Sequence, residues 1–483
     1  MDASLKTQFE QQISLKKNSF NAEQRAILSE VLTEQYSKLT LSDKLKENLS
    51  RLSQANTFCI TTGHQLCLMT GPLYFIYKIL HVIKLAEDLK KTFPEQHFVP
   101  IYWMATEDHD FEEIRSFSLF GQKWTWQSAQ KGAVGRFEIK DLAPLLAALG
   151  EKFQNHVEAE IHHLISQLQS SRVYKDGFFR FIHALFSAYG LVIVDADQSM
   201  FKKSAWPLWQ KDLYSNDIHH AVLKQTRELQ EQGYPTPIES KTTNLFLLKK
   251  QNRLRIEKNE AEAFKKEDSP HLSPNVVLRP LYQEWILPNL AYVGGPSETA
   301  YWRQLPLAFE TMGIDFPLII ERAGGILLQK RDQEQIQQLG FELSDFLIDK
   351  ILLKGRYLEH NGDQKPDYSK LRAHLDSYIT SFKALARTEI PQELRMVEAE
   401  LTRIEKQIIS LEQRFEKVRK SKYDKALKQI DQLSEKIQPK GLLQERQTNL
   451  LNFCPDGELS SRIGQIYSQL DPFNEEKQWF VVS

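Results

Sequence analysis

Cysteines, long apolar runs and an excess of one charge are scarce or absent in this chain, and each absence excludes a class of protein. The three cysteines, Cys59, Cys67 and Cys454, include no Cys-x-x-Cys pair, which argues against a disulfide framework or a thiolate zinc site. No segment approaches the ~18 apolar residues of a membrane span, and the polar start does not resemble a secretory signal. The 62 basic and 63 acidic residues argue against a nucleic-acid or acidic-membrane partner. We therefore expect a globular, cytoplasmic protein.

The first part of the chain alternates between strand-like and helix-like patterns. A β-rich run at 58–62 is followed by a helix that Gly71-Pro72 opens, and a second apolar run at 98–103 ends in an acidic cluster. This β-loop-α-β order is typical of parallel sheets with crossover helices, so we predict a doubly wound α/β core. Further strand candidates are residues 191–194, 291–293 and 317–320.

Two insertions and one N-terminal helix complete the prediction for the core. Residues 244–249 and 253–256 flank a Gln251-Asn252 turn, which indicates a β-hairpin. Trp124 and Trp126, followed by glycines, indicate a second and irregular insertion. Residues 20–52 have apolar side chains at helical spacing and are predicted as one helix.

The last quarter of the chain carries a heptad pattern. Apolar residues alternate spacings of three and four between mostly charged positions, as in the seam of a coiled coil. The phase breaks near Lys422, so a reversing hairpin and one long helix with a stutter both fit. Because such a seam is usually an oligomer interface, we expect a homodimer. The seam residues are Leu394, Val397, Leu401, Ile404, Ile408, Leu411, Phe415 and Val418, then Ala426, Ile430, Leu433 and Ile437.

A first candidate site follows the first predicted strand and leads into a helix start. Glycines there permit close backbone approach, and the N–H groups and dipole of a helix start favour an anion. His64 could stabilise charge on a transferred phosphoryl group. An ordinary strand-to-helix turn fits the same residues, since the pattern matches no known phosphate loop. The candidate nucleotide- or phosphate-binding residues are Gly63, His64, Gln65, Gly71 and Lys78.

An acidic cluster follows the second predicted strand, where open α/β sheets bind their ligands. Its carboxylates and imidazole could hold Mg²⁺, orient an amine or move a proton. We predict Asp108, His109 and Asp110 as catalytic, with His109 or Asp110 as the general base, and Glu107 as substrate-binding. The structural alternative is a helix start that one Asp caps. No second ligand set has a recognisable spacing, so we assign no metal ligands.

A third candidate site surrounds Gly294-Gly295-Pro296, between a strand and a helix. Arg279 could clamp a carboxylate or phosphate, although an ion pair within the fold is the simpler interpretation of a lone arginine. Asp195, Asp197 and Arg322 are lesser candidates, as ribose or phosphate contacts or as polar turns and salt bridges. The predicted substrate-binding residues are Tyr74, Trp103, Glu107, Arg279, Tyr282, Gln283, Tyr292, Gly294, Gly295 and Glu298.

Taken together, these blocks resemble the bacillithiol-biosynthesis cysteine-adding enzymes, a family of cysteine ligases. The resemblance implies a Rossmann-type core related to class I nucleotide-activating ligases, with connecting insertions and a coiled-coil domain used in dimerisation. It spans nearly the whole chain in order. The segments that carry it are residues 62–65, 68–78, 102–113, 272–284, 287–302 and 441–446.

The resemblance also implies a reaction and a cofactor. The carboxyl group of cysteine would join the amine of glucosaminyl-malate to give the thiol bacillithiol. Because an amide does not form spontaneously from a free carboxylate, we expect an activated acyl group, with ATP or another adenine nucleotide by analogy and Mg²⁺ as an open question. Many family members carry Gln at the position of His64, so the resemblance does not make this histidine indispensable.

We predict three regions and retain two alternatives to the ligase. Residues 1–365 are the core with insertions near 115–140 and 235–275, residues 366–440 the coiled-coil domain, and residues 441–483 a segment that returns to the core. One alternative is a metal-dependent hydrolase that uses the cluster at 107–110. The other is a coiled-coil module that binds a metabolite without turnover.

Overall fold

The computed structural model describes residues 1–156, 158–249, 252–362 and 366–483, which form two compact units. The first unit comprises Met1–Leu328 and Leu443–Ser483, and the second comprises Gln329–Leu442. The chain therefore leaves the first unit and returns to it. Within the described ranges, no helix combines the length and apolar character that crossing a membrane requires.

The strands belong mainly to the first unit, and most of them are short. They are, in chain order, β1 (Thr57–His64), β2 (His97–Met104), β3 (Ser116–Leu119), β4 (Gln122–Thr125), β5 (Val192–Asp195), β6 (Leu245–Lys249), β7 (Asn252–Arg255), β8 (Leu272–Pro274), β9 (Asn289–Gly294), β10 (Leu318–Glu321), β11 (Gly325–Gln329) and β12 (Gln478–Val482).

The helices connect these strands and build most of the second unit. They are α1 (Ala3–Ser19), α2 (Ala22–Tyr36), α3 (Asp43–Arg51), α4 (Leu73–Thr92), α5 (Phe111–Ile114), α6 (Ala143–Lys152), α7 (Glu160–Gln169), α8 (Tyr174–Phe186), α9 (Ser199–Ser204), α10 (Trp206–Tyr214), α11 (Asp217–Glu231), α12 (Leu278–Ile286), α13 (Pro296–Trp302), α14 (Pro306–Met312), α15 (Lys330–Gln338), α16 (Lys350–His360), α17 (Ser369–Glu389), α18 (Leu394–Ser421), α19 (Asp424–Ile437), α20 (Gln444–Gln447) and α21 (Leu459–Gln469).

A five-stranded parallel sheet with the order β10-β9-β1-β2-β5 forms the centre of the first unit. The five strands predicted from apolar runs are these five, and the doubly wound α/β fold is confirmed. From β1 the chain adds strands to one side through β2 and β5, and later to the other side through β9 and β10. The strand order therefore reverses between β1 and β9, which is where such sheets bind ligands.

Helix α4 packs against β1 and β2, and most of its side chains are buried. It is apolar on most of its circumference, which is typical of a helix inside a core. Pro72 is its N-cap and Phe93 its C-cap. The predicted buried positions Leu73, Ile76 and Leu80 have no exposed surface, and each contributes roughly 1.5–3 kcal/mol by its burial.

The single helix predicted over residues 20–52 is wrong. Helix α2 ends at Tyr36 and α3 begins at Asp43, because the side chain of Ser42 accepts the N–H of Leu45 and caps a new helix. The break lets the end of α2 cover the edge of the sheet. There the hydroxyl of Tyr36 accepts the N–H of Ile193 at 2.7 Å.

Both predicted insertions contain β-hairpins. Strands β6 and β7 pair antiparallel, with β8 on the other side of β6. Of the predicted Gln251-Asn252 turn, Gln251 lies outside the described residues. Strands β3 and β4 form the second hairpin.

In the second unit α16 pairs with α19 and α17 with α18, in both cases antiparallel. Lys354 contacts Asp431 at 2.6 Å, and Arg372 contacts Glu412 at 2.6 Å. Between these two contacts, Asn361 meets Tyr423 and Tyr368 meets Glu416, each at 3.1 Å. The partners therefore follow in reverse order from α19 into α18, so α18 and α19 run in the same direction with a break at Lys422, as a stutter requires, and the chain reverses between α17 and α18. The second unit begins before residue 366, since α15 and α16 pack against α19.

The predicted seam is only partly covered within one chain. Val397 and Leu401 are buried against Ala386 of α17. Further along α18 the seam residues from Ile404 to Val418 are 36–72% exposed. The helical coiled coil is therefore confirmed, and its apolar stripe continues beyond the contacts that one chain makes.

Candidate active site

A cavity of about 660 Å³ opens at the carboxyl ends of β1, β2 and β9, at the reversal of strand order. Its position and size suit a small-molecule site. Residues of all three candidate blocks meet here. The predicted residues that line the cavity are Gly63, His64, Gln65, Tyr74, Lys78, Trp103, Glu107, Asp108, His109, Arg279, Tyr292, Gly295 and Glu298.

Lys78 and Glu298 form an ion pair on the cavity wall. The ammonium of Lys78 also donates to the carbonyl oxygen of Gly63 at 2.9 Å. Tyr292 Oη donates to Glu298 Oε1 at 2.7 Å, and the N–H of Gly295 donates to Oε2 at 2.8 Å. Burial alone would raise the pKa of Glu298, but Lys78 and these donors lower it to about 2. The charge of Lys78 is therefore already compensated.

His64 is half-buried in the cavity wall and neutral at pH 7. Burial, reinforced by the ammonium of Lys78, lowers its pKa to about 4. Nδ1 lies 3.0 Å from the carbonyl oxygen of Gln65 and 3.6 Å from Cys67 Sγ, and the ring packs against Tyr74. His64 can form a hydrogen bond with a ligand, but it carries no positive charge to stabilise a phosphoryl group.

Gly71 lies outside the cavity, and the C-terminal part of the chain covers the start of α4. The N–H of Leu73 donates to the carbonyl oxygen of Thr448 at 2.9 Å, and the carbonyl of Gly71 accepts Asn449 Nδ2 at 2.9 Å. Protein groups therefore occupy the helix start at which an anion was expected.

Asp108 lies on the acidic side of the cavity, and both of its oxygens accept hydrogen bonds. Gln65 Nε2 donates to Oδ2 at 2.6 Å, and the N–H groups of His109 and Asp110 donate to Oδ1 at 2.7 and 3.2 Å. Burial would raise the pKa of Asp108, but these donors hold it well below its usual range. Gln65 also donates to Glu113 at 2.9 Å, so one amide bridges two carboxylates.

His109 and Asp110, the two predicted bases, occupy different places. His109 lines the cavity with its side chain 55% exposed. Its Nδ1 lies 3.7 Å from Asp108 Oδ1 and 3.2 Å from a guanidinium nitrogen of Arg253. Asp110 is outside the cavity and caps α5, where it accepts the N–H of Glu113 at 3.3 Å. Asp110 is therefore the helix cap of the structural alternative, whereas His109 can reach a ligand.

Glu107 is held by a buried ionic network that the sequence did not reveal. Lys202 has no exposed side-chain surface, and its Nζ lies 2.6 Å from both Glu107 Oε1 and Asp197 Oδ1. Asp195 and Asp197, the suggested ribose contacts, are thus paired with protein cations. The network comprises Glu107, Lys202, Asp197, Arg136, Asp195 and Lys175.

Arg279 provides a cation on the opposite wall. It donates to Tyr301 Oη at 2.6 Å and to Gln283 Oε1 at 3.2 Å, and it lies over the ring of Tyr292. Among the residues that the structure describes, no carboxylate pairs with Arg279, so the expected salt bridge is absent there. Its charge is available to an anionic ligand, and Gln283 orients it.

Tyr282, Gln283 and Gly294 lie behind the wall and do not line the cavity. The ring of Tyr282 packs edge-on against Trp103 with the centroids 5.7 Å apart. A Cβ on Gly294 would approach Glu298 to 3.0 Å, so a glycine allows the tight turn that brings Glu298 to Lys78. These residues support the site without facing a ligand.

Comparisons with known proteins place this chain in a family. The model described as "Bacillithiol biosynthesis BshC, N-terminal Rossmann-like domain" matches residues 1–323, and its C-terminal coiled-coil counterpart matches residues 325–481. The chain belongs to the bacillithiol-biosynthesis BshC family.

Curated relatives carry the name "Putative cysteine ligase BshC". One from Flavobacterium psychrophilum is 36% identical over 96% of this chain and 90% of its own length. Another from Cytophaga hutchinsonii is 34% identical over 95% and 89%, and one from Christiangramia forsetii is 35% identical over 96% and 90%. The predicted family and the ligase class are confirmed.

Of three further arginines that line the cavity of this BshC-family chain, the sequence indicated only Arg322, as a lesser candidate for a phosphate contact or a salt bridge. Arg253 comes from the β6–β7 hairpin, Arg446 from α20, and Arg322 follows β10. Only the resemblance of residues 441–446 to the family marked Arg446 as relevant. Arg279, Arg322 and Arg446 form the basic wall of the cavity, whereas Arg253 lies on the acidic side, 3.2 Å from His109 Nδ1.

Protein donors, the amide of Gln65 and backbone N–H groups, bind the carboxylate oxygens of Asp108 in the acidic wall. In the described part of the chain no group of three or more His, Cys, Asp or Glu side chains is placed to hold a metal ion. By contrast, the basic wall fits carboxylate or phosphate groups, because guanidinium donors match such oxygens.

Proposed function

We propose that this chain joins the carboxyl group of cysteine to the amine of glucosaminyl-malate, which gives bacillithiol. The observation that carries the proposal is the division of one cavity into a basic wall, with Arg279 unpaired, and an acidic wall around Asp108 and His109. A basic wall suits substrates that bear carboxylates, and an acidic wall attracts an amine. The family and the names of its members support the same chemistry.

Proton transfer at the amine is assigned to His109. The amine loses a proton when it attacks an activated carbonyl carbon, and the ring of His109 reaches the cavity to accept it. Asp108 stays ionised, so it orients the neutral amine by accepting one of its N–H groups and then stabilises the imidazolium that forms when His109 takes the proton released on attack. The leaving group departs from the carbonyl carbon as the amide bond forms, and the arginines of the basic wall compensate its charge.

We propose ATP or a related adenine nucleotide as the source of activation. When bound, such a nucleotide supplies the cysteine carboxylate with a good leaving group. Arg279 and Arg446 are the residues that would hold its phosphates, since Lys78 is compensated by Glu298 and Arg322 by Glu445. Among the described groups, Arg322 keeps only its Nε–H as a free donor.

A product assay tests this proposal. The purified chain is mixed with cysteine, glucosaminyl-malate and ATP, and thiols are trapped with a bimane reagent and identified by mass spectrometry. We expect a bacillithiol peak that requires both the chain and ATP. A peak without ATP would contradict the proposed activation, and no peak would contradict the ligase reaction.

We also propose that two copies of the chain associate through α17 and α18. The exposed seam of α18 needs an apolar partner, and α17 exposes a second apolar row at heptad-like spacing, so a second copy offers matching surfaces. The exposed apolar residues are Leu371, Tyr378, Phe382 and Leu385 on α17 and Ile404, Ile408, Leu411, Phe415 and Val418 on α18.

We propose the cytoplasm as the compartment of this protein. Cys59, Cys67 and Cys454 are all buried free thiols, and free thiols suit a reducing environment.

A further inference from the structure

The segment 444–449, where the chain returns from the second unit, is part of the first unit and lies beside the cavity. The side chain of Gln444 accepts the N–H of Leu327 at 2.8 Å and donates to its carbonyl oxygen at 2.9 Å. With these two bonds the side-chain amide of Gln444 pairs with the backbone of β11 in the way that a neighbouring strand would. Arg446 from the same segment lines the cavity.

Glu445 in this segment holds the guanidinium of Arg322 in one orientation. Its oxygens accept Nη1 at 3.1 Å and Nη2 at 2.6 Å, and the N–H of Gly325 donates to Oε2 at 3.0 Å. Nη1 also donates to the carbonyl oxygen of Ala323 at 2.9 Å. A bidentate pair of this kind fixes the plane of the guanidinium.

The Nε–H of Arg322 remains without a partner among the described groups. The side chain is only 4% exposed, and buried N–H donors are nearly always hydrogen-bonded in folded proteins. Nε lies close to Gly295, where an added Cβ would be 3.7 Å from it, and both residues line the cavity. A ligand atom beside Gly295 would satisfy this donor.

We propose that Arg322 Nε–H binds an anionic oxygen of the ligand and that Glu445 is the positioning residue for this contact. The contact deepens the proposed function, on which it rests, by assigning one recognition point in the basic wall. A substrate carboxylate and a nucleotide phosphate present the same acceptor chemistry. Glu445 touches neither of them and acts through Arg322.

The same segment also supports the loop before α4, the helix that places Tyr74 beside Arg322. Met69, Thr70 and Gly71 have φ of +46°, +68° and +59°, which is unfavourable for the two residues with a side chain. Asn449 Nδ2 donates to the carbonyl oxygens of Met69 at 2.5 Å and Gly71 at 2.9 Å. Helix α4 then begins and presents Tyr74, whose ring lies 5.3 Å from the Arg322 guanidinium.

Titration calorimetry with two separate probes, L-malate and inorganic pyrophosphate, tests the contact on the full chain. We expect the wild type to bind at least one probe, and Arg322→Lys and Glu445→Gln to weaken that binding about tenfold or more, since Lys cannot present Nε–H and Gln cannot hold both Nη groups. The probe that loses affinity identifies a carboxylate or a phosphate as the source of the oxygen.

A third variant tests the contact with the ion pair intact. Gly295→Ala places a methyl group beside Nε while its nearest contacts, 3.5 and 3.7 Å, remain ordinary, so we expect a folded protein with weakened probe binding. Asp456→Asn is the matched control, because it breaks a carboxylate–arginine pair with Arg462 in the same C-terminal part away from the cavity. Its probe affinity should equal that of the wild type.

Kinetics separate positioning from a merely structural role. Glu445→Gln should raise KM for the anionic substrate about tenfold and change kcat less than about threefold, because Glu445 touches no reacting atom. Unchanged probe affinity in Gly295→Ala and Glu445→Gln, or no binding of either probe by the wild type, would overturn the contact. If the probes behave as expected and no bacillithiol forms, only the proposed function fails. If bacillithiol forms and the variants match the wild type, only the contact fails.

Discussion

The side-chain amide of Gln65 donates to Asp108 Oδ2 at 2.6 Å, and this bond joins the end of β1 to the loop after β2. The amide holds the carboxylate at the cavity edge, and backbone N–H groups keep it ionised. The two candidate blocks therefore form one site, in which Asp108 has a fixed direction.

The first prediction separates Asp108 from Asp110. Asp108→Asn should lower bacillithiol formation about 100-fold or more, because the variant cannot stabilise a protonated His109. Asp110→Ala should cost about 1 kcal/mol of stability by loss of a helix cap and keep kcat within about threefold of the wild type. Rates from the bimane assay and melting temperatures check both. Equal losses of activity in the two variants would show that Asp110 also acts in the site.

The second prediction concerns the buried cation Lys202. Lys202→Met leaves two carboxylates, Glu107 and Asp197, without their shared partner, so the free energy of unfolding should fall by about 3–5 kcal/mol. The exposed neighbour Lys203 is the control, since Lys203→Met should change stability by less than about 0.5 kcal/mol. Urea unfolding measures both. A loss below about 1 kcal/mol for Lys202→Met would contradict the network.

The third prediction follows the pH dependence of Glu298. Its pKa of about 2 lies below the ordinary 4.5, so its stabilisation is complete above about pH 4.5 and is lost as the pH falls toward 2. Glu298→Gln should therefore be about 3 kcal/mol less stable than the wild type at pH 7, with the difference shrinking between pH 4.5 and 2. Urea unfolding across this range checks the sign. A difference that is constant with pH would show that Glu298 is not ion-paired.

The fourth prediction concerns the exposed seam of α18. The double variant Leu411→Asp with Phe415→Asp places charges in the proposed interface, so light scattering should give the mass of one chain. Leu401 is a poorer probe because it is buried against α17 within the same chain. Lys406→Asp, on the same helix outside the seam, should remain a dimer. An unchanged dimer in the double variant would place the interface elsewhere.

Local sequence accounted for most of the fold. The five central strands were predictable because buried parallel strands are nearly continuous apolar runs. The helix over 20–52 failed because Leu39 and Leu41 continue an apolar pattern through a loop, while the stop depends on Ser42 as a cap. The exposure of the seam along α18 could not be predicted either. A heptad pattern predicts an apolar seam but does not show which helix packs against it.

The site was predictable only as far as strand order determines it. The carboxyl ends of β1, β2 and β9 had to meet, which brought together Gly63, Asp108 and Gly295. Two aspartates two residues apart could not be separated, because the chain direction after β2 decides which one faces the cavity. Glu445 lies 123 residues from Arg322, and their contact depends on the return of the chain after the second unit.

The most direct test of the central claim follows oxygen from cysteine labelled with ¹⁸O in its carboxyl group. The chain is incubated with this cysteine, glucosaminyl-malate and ATP, and the molecular masses of all products are measured by mass spectrometry. We expect bacillithiol that retains one ¹⁸O, with the other ¹⁸O in the AMP or phosphate released, because an activated carboxyl group gives up one oxygen with its leaving group. No labelled bacillithiol, or a nucleotide product without the label, would contradict this account.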